Sequence, residues 1–358
     1  MCVRVSKNAS VLSLIVIGLM SCASKPELLA WTDAVLVAER KLQHGDFRAA
    51  LTDFESLEQS ALFRSDAVEM SMRQAEVHRR AGEFETAERV LDSLEKSKRW
   101  VDREQLAKIV YLRGRIIHDS GQTEQAQNYL MRVVNSFPKT AYGWRAWVFL
   151  KPQLEKQLTE DEFLALCRKM FRRHRDSPIA DNFVYEAARR YFEKNTKVGN
   201  QRALELYQLF LNTWIMETSG FWDDVVWELS LLYHRMHRYK EEEDALQRLL
   251  ATREPGWPSS SDLTNYKYAY MRIAKLHMFE FNLPKQAAKL FHAYEDEYPT
   301  SIFRDDMIWW EGHAWLRAGD TSRAKAAWAR LAKTYPESKY LRRIRSNYPA
   351  PTAETPIP

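Results

Sequence analysis

Residues 304–340 read RDDMIWWEGHAWLRAGDTSRAKAAWARLAKTYPESKY, and this stretch decides the fold. Two helical patterns meet at Ala318-Gly319-Asp320. Ile308, Gly312 and Trp315 share one face of the first pattern, and Ala324, Trp328 and Leu331 share one face of the second. Offsets of three and four return to the same stripe of a 3.6-residue helix. Gly312 and Ala324 are small where two helices must cross closely; Trp315 and Trp328 fill the space beside them. Pro336 stops the second helix, because it has no N–H to donate and clashes with the preceding turn. Such a hairpin cannot cover its own apolar face. It requires neighbours.

Those neighbours are in the chain. A small residue followed twelve positions later by Ala occurs as Ala38/Ala50, Ala75/Ala87, Gly114/Ala126 and Gly312/Ala324. In each unit a Gly stands five residues before that Ala: Gly45, Gly82, Gly121 and Gly319. A large side chain follows the Ala by four: Phe54, Leu91, Leu130 and Trp328. Three hairpins end in aromatic-Pro with Thr140, Ser301 or Ser338 two residues on, a hydroxyl suited to cap the next helix.

This pattern of small-residue pair, turn Gly and closing Pro resembles the tetratricopeptide repeat family over roughly residues 31–345. The resemblance implies an all-α, right-handed superhelical solenoid of about eight helical hairpins. The longer units ending in Tyr-Pro-x-Ser look like the repeats of bacterial envelope proteins, among them the lipoprotein of the outer-membrane barrel-assembly machinery. The Trp309-Trp310-x-Gly312 entry is similar to the superhelical repeats of soluble lytic transglycosylases.

Residues 1–21 read as a signal peptide: Arg4 and Lys7 precede an apolar run, Val11 to Met20, too short to span a bilayer as a mature helix. Leu19-Met20-Ser21-Cys22 resembles a bacterial lipobox, which implies a lipid on Cys22 and, with Ala23 and Ser24 following, an outer-membrane address facing the periplasm. An ordinary secretory signal cleaved after Ala23 is the competing reading. Residues 22–30 would tether the domain, reaching about 30 Å when extended. Residues 31–254 hold hairpins one to six. The fourth turns near Leu158-Thr159-Glu160, and the fifth pairs Ala188 with Ala203 across a longer turn, Lys194 to Gln201. The sixth has Glu242 near where Ala is expected. Pro255 to Ser261 reads as a loop or hinge, 262–346 as hairpins seven and eight with a capping helix at 338–346, and 347–358 as a disordered Pro-rich tail.

Composition excludes several classes. Only 11 Gly in 358 residues, 45% hydrophobic and 28% charged, suits a helical chain. The net charge of +5 falls to +3 without Arg4 and Lys7, too little to argue for nucleic acid. Of three cysteines, Cys2 leaves with the signal and Cys22 is the anchor, so Cys167 has no disulfide partner and reads as a core residue. There is no Gly-rich phosphate loop, Gly-x-Ser-x-Gly or His-Glu-x-x-His, so no catalytic residue or cofactor is expected. His234 and His237 lack the further ligands of a metal site, so none is expected.

By the family's geometry, Arg79, Arg115, His118, His313 and Arg317 face the groove formed by the first helices of successive hairpins. Trp309 and Trp310 are adjacent and cannot point the same way; Trp309 is assigned to the groove. Val35 and Glu39 stand where some members of the family carry a carboxylate clamp, so chaperone-tail binding is not expected. The run Arg168-Lys169-Met170-Phe171-Arg172-Arg173-His174-Arg175 meets anionic lipid or an acidic partner on one reading, and is a solvated helix face on the other. The expected function is a membrane-anchored scaffold binding envelope proteins or peptide segments, not an enzyme. The alternative is a peptidoglycan-binding, transglycosylase-type superhelix without its catalytic domain.

Overall fold

The computed structural model describes residues 25–96, 101–252 and 264–345. Among them are seventeen helices and no strand, so the chain is an all-α array of helical hairpins. It divides into two compact units at Val184/Tyr185. The first holds α1 (Lys25–Gln43), α2 (Phe47–Gln59), α3 (Arg64–Arg80), α4 (Phe84–Lys96), α5 (Arg103–Asp119), α6 (Thr123–Ser136), α7 (Ala141–Gln157) and α8 (Glu160–Arg173). Helix α9 (Ala180–Glu193) carries the boundary. The second unit continues with α10 (Lys197–Thr213), α11 (Trp222–Arg235), α12 (Tyr239–Ala251), α13 (Thr264–Phe279), α14 (Pro284–Glu297), α15 (Arg304–Arg317), α16 (Thr321–Thr334) and α17 (Lys339–Arg345). The signal segment 1–21, Cys22, the loop Pro255 to Ser261 and the tail 347–358 lie outside the described residues.

Each repeated position does the job its size implies. Ala38, Ala50, Ala75, Ala87, Ala126 and Ala324 are buried, as are the large residues Phe54, Leu91 and Leu130 that fill the crossing. The four turn glycines have φ of +80° to +90°, the left-handed region that costs an L side chain about 1–2 kcal/mol. This conformation lets the next backbone N–H fold back: Asp46 N–H donates to the Lys41 carbonyl at 3.0 Å, and Asp320 N–H to the Trp315 carbonyl at 2.9 Å. The turn's Asp then caps the second helix. Asp46 Oδ1 accepts from Ala49 N–H at 3.3 Å, and Asp320 Oδ1 from Arg323 N–H at 2.9 Å.

Three sequence expectations are corrected in detail, and one position the sequence left open is filled. Helix α1 starts at Lys25, so part of the expected tether, 25–30, is already helical. The long turn expected from Lys194 to Gln201 is short. Thr196 caps α10, accepting from Gly199 N–H at 3.0 Å, and the extra residues form an added helical turn. The left-handed turn position is filled by Asn195 in the fifth hairpin, His237 in the sixth and Asn282 in the seventh. Finally, Ser301 does not cap α15. Its hydroxyl pairs with Tyr294 at 2.9 Å and accepts from Phe303 N–H at 3.1 Å, while Thr140 does cap α7, accepting from Gly143 N–H at 3.1 Å.

The last hairpin is closed by α17. The Tyr340 ring stacks on Trp309 at 4.6 Å, and the Tyr340 hydroxyl donates to the buried carboxylate of Asp306. Burial raises the Asp306 pKa to about 6 against the pull of that hydrogen bond. A carboxyl group that is harder to ionise folded than unfolded loses stability as pH rises from its usual range through 6.

Two outcomes follow from this packing. A Cβ on Gly312 would meet the Trp328 indole nitrogen at 2.1 Å, and that N–H donates to the Trp309 carbonyl at 3.3 Å. Gly312→Ala should therefore destabilise unit two by about 1–3 kcal/mol in chemical denaturation; an unchanged midpoint would remove the close crossing from the account. Asp306→Asn keeps an acceptor for Tyr340 without the charge. Its melting temperature should exceed that of the unaltered chain at neutral pH, by on the order of 1 kcal/mol of stability. The gain should vanish in the ordinary carboxylate range. A gain equal at both pH values would contradict the burial cost.

Candidate functional site

In the first unit α3 packs on α5 and α5 on α7. With α1, their exposed sides line a groove of about 510 Å³. Its lining follows from the hairpin register. The residue just after the small crossing residue points away from the partner helix, and in three successive hairpins it lines the groove: Glu39, Glu76 and Arg115.

The floor of the groove is a buried ionic network. Lys108 donates to Glu69, and Arg73 bridges Glu69 at 3.0 Å and Glu39 at 2.5 Å. Burial drives the Lys108 ammonium down to about 8, with Glu69 acting against it. Glu69 is also buried, yet Lys108 and Arg73 hold its carboxyl below the usual range. These charges satisfy one another, which is the condition for keeping ions out of water.

The wall made by α5 and α7 is different. The Arg115 guanidinium lies 4.3 Å over the Phe149 ring and donates to the Tyr111 hydroxyl at 3.1 Å. Arg145 lies 4.9 Å over Tyr142. Among the described residues neither arginine forms an ion pair with a carboxylate. Two buried donors lining this groove, Trp31 Nε1 and Arg115 Nε, have no hydrogen-bond partner. Unsatisfied buried donors call for an acceptor, since an unmade hydrogen bond costs about 1–3 kcal/mol.

The six expected groove residues fall three to each unit, and only Arg115 lines the groove. Arg79 is buried, its guanidinium committed to Glu76 at 2.6 Å and to Asp119. His118 pairs with Asp119 at 2.9 Å and sits edge-on to Phe149 at 4.9 Å. In the second unit Trp309 and Trp310 are both buried, because α17 covers the first and Phe291 stacks on the second at 6.0 Å. His313 is buried against Trp309 and Trp328, and burial lowers its pKa to about 4, so it is neutral. Arg317 is exposed, over Phe279 at 5.2 Å. Sequence reasoning missed Arg73, Lys108, Tyr142 and Arg145. The position one past the small residue would have found Glu76 and Arg115; the others come from neighbouring turns.

Comparison with known proteins gives two partial family matches. Residues 24–169 match the FAT domain, and residues 308–338 match the tetratricopeptide repeat. Neither spans half of the chain. No curated protein matches the sequence. Among solved structures, the chain is similar to the C-terminal part of a TPR repeat-containing protein from Cytophaga hutchinsonii. That pair shares 13% identity over 85% of this chain and 96% of the other, at a TM-score of 0.37. A tetratricopeptide repeat protein from Parabacteroides merdae shares 11% identity over 89% of this chain and 98% of its own, at 0.29. A signal transduction ATPase with a tetratricopeptide repeat sensor from Pyrococcus horikoshii shares 15% identity over 86% of this chain and 48% of its own, at 0.45. With left-handed turns and small-residue crossings repeated along it, and its last hairpin matching the family model, the chain has a tetratricopeptide-type repeat fold.

Proposed function

We propose that this protein is a binding scaffold without catalysis of its own. In this reading a lipid on Cys22 moors it to the outer membrane, facing the periplasm, and a segment of an envelope protein binds in the groove of the first unit. The observation that carries the binding half is the α5–α7 wall: two arginines on aromatic rings outside any ion pair among the described residues, one of which, Arg115, has a buried Nε–H lacking an acceptor. Arginine over an aromatic face is held in place at little further entropic cost and offers a planar fork to a carboxylate. Of the cations in the lining, Arg73, Arg80 and Lys108 are paired with Glu39, Glu69 and Glu76, which leaves Arg115 and Arg145 to favour an anionic occupant. Its apolar lining, from Val35, Leu36 and Tyr111, suits alternate apolar side chains.

The test is fluorescence anisotropy with a labelled peptide in which Glu alternates with Leu, set against its Gln and Lys counterparts. The Glu peptide should bind best, and Arg115→Ala or Arg145→Ala should weaken it about tenfold or more, as expected for one charge-assisted hydrogen bond. Equal binding of the three peptides, or unaltered affinity in both variants, would remove this groove as the site. Co-sedimentation with purified cell-wall sacculi in place of peptide binding would shift the ligand from protein to glycan.

The mooring half is tested separately. Cys22→Ala should abolish incorporation of a clickable palmitate and release the protein from the membrane fraction. Retained labelling would refute the anchor.

A further inference from the structure

The basic run at 168–175 closes α8 and takes no part in the groove. Cys167, Met170 and His174 are buried, whereas Arg168, Lys169, Arg172, Arg173 and Arg175 are all exposed. At 100° per residue, the four cations within α8 sweep an arc of roughly 140° opposite the buried stripe. None of the five makes an ion pair among the described residues. His174 adds no charge near neutral pH, because burial, and then Arg173, lowers its pKa; its Nε2 lies 3.3 Å from Asn135 Oδ1. The acidic residue nearest in sequence is the exposed Asp176.

Helix polarity explains part of this run. Arg172 and Arg173 stand in the last turn, where cations complement the carbonyl end of the helix. Arg168 and Lys169 lie a turn earlier and Arg175 lies beyond the helix, outside that effect. The run is denser than capping requires.

Its place in the fold gives it a direction. In a stack of antiparallel hairpins, every first helix begins, and every second helix ends, at the same edge. The start of α1 and the end of α8 therefore share one edge of the first unit, and so does exposed Lys139 in the connection between α6 and α7. We propose that this edge rests on an anionic membrane surface, with the α8 cations against acidic lipid headgroups. The choice of lipid over a protein partner rests on the character of the arc. It presents four cations, with Arg175 following, and no exposed large apolar side chain of the kind that anchors a protein interface. A surface densely and uniformly negative matches that character, at about 1 kcal/mol per cation near the membrane. The proposed lipid on Cys22 would enter at this same edge, but the contact does not depend on it.

The experiment uses the full chain carrying Cys22→Ser, so that no lipid contributes. Its co-sedimentation is measured with vesicles of phosphatidylcholine alone and with added phosphatidylglycerol. The apolar segment at 11–20 is common to every variant, so only differences are read. Binding should increase with phosphatidylglycerol and fall with salt. Arg168→Gln/Arg172→Gln/Arg175→Gln should lower the partition coefficient on the order of 100-fold. Lys285→Gln/Lys289→Gln/Lys325→Gln, which removes the same charge from exposed positions in the second unit, should leave it nearly unchanged. An equal loss in both triple variants would mean net charge alone, and overturns the proposal. So does binding indifferent to phosphatidylglycerol, or capture by polyglutamate beads without capture by vesicles. Competition by millimolar inorganic phosphate at constant ionic strength would reassign the site to free phosphate.

Discussion

The whole array depends on two backbones approaching closely at one point in each hairpin. That approach needs a small residue on the first helix, and in all hairpins but the fourth the chain reverses through a left-handed residue before the second begins. The reversal is the stricter demand. Where Gly is absent, Asn195, His237 and Asn282 adopt φ of 48°, 56° and 52°. Asn and His are among the residues that tolerate this region, Asn because its short side chain can bond locally. The dihedral angle recurs in seven turns while the residue that supplies it changes; the fourth hairpin instead reverses through the extended pair Leu158 and Thr159, with φ of −96° and −62°.

This explains which hairpins could be read from sequence. Gly45, Gly82, Gly121 and Gly319 mark a position that Gly fills at no steric cost, so four hairpins stood out. The sixth kept the register under other residues: Ser230, His237, Glu242 and Leu246 hold the same spacing as Gly312, Gly319, Ala324 and Trp328. Glu242 is buried where Ala is expected, and it survives there through partners. His234 lies 2.7 Å from one carboxylate oxygen, and Arg272 of the next hairpin holds the other. A buried carboxylate without them would be prohibitive. Arg272 is thirty residues away, beyond what local pattern can show.

The site was less legible than the fold for a related reason. Helical periodicity says which side of a first helix meets its own partner, but the groove is set by how successive first helices lean on one another. Arg79 and Arg115 both looked like groove residues. Arg79 is instead drawn into Glu76 and Asp119, whereas Arg115 is held by rings. Trp309 failed as a groove residue because α17 folds over it. A capping helix at 338–346 is expected from the sequence, but not the ring it lays on Trp309: its stacking residue, Tyr340, is one aromatic among many.

The groove's own polarity comes from where its carboxylates stand. Glu39 and Glu76 belong to α1 and α3, and Glu69 on α3 draws Lys108 and Arg73 toward the floor. Arg73 of α3 and Lys108 of α5 are thereby neutralised from within the protein. Arg115 and Arg145 make no ion pair among the described residues and are fixed by rings, which position a guanidinium without cancelling its charge. In the proposed reading, a segment lying across the four first helices would meet paired charge at one end and the ring-held, unpaired guanidinium groups of Arg115 and Arg145 at the other. Its acidic residues would gain most at α5 and α7, because the cations near α1 and α3 are already held by Glu39, Glu69 and Glu76. On that reading, direction along the groove would be set by the protein's internal ion pairs, before any partner's shape is considered.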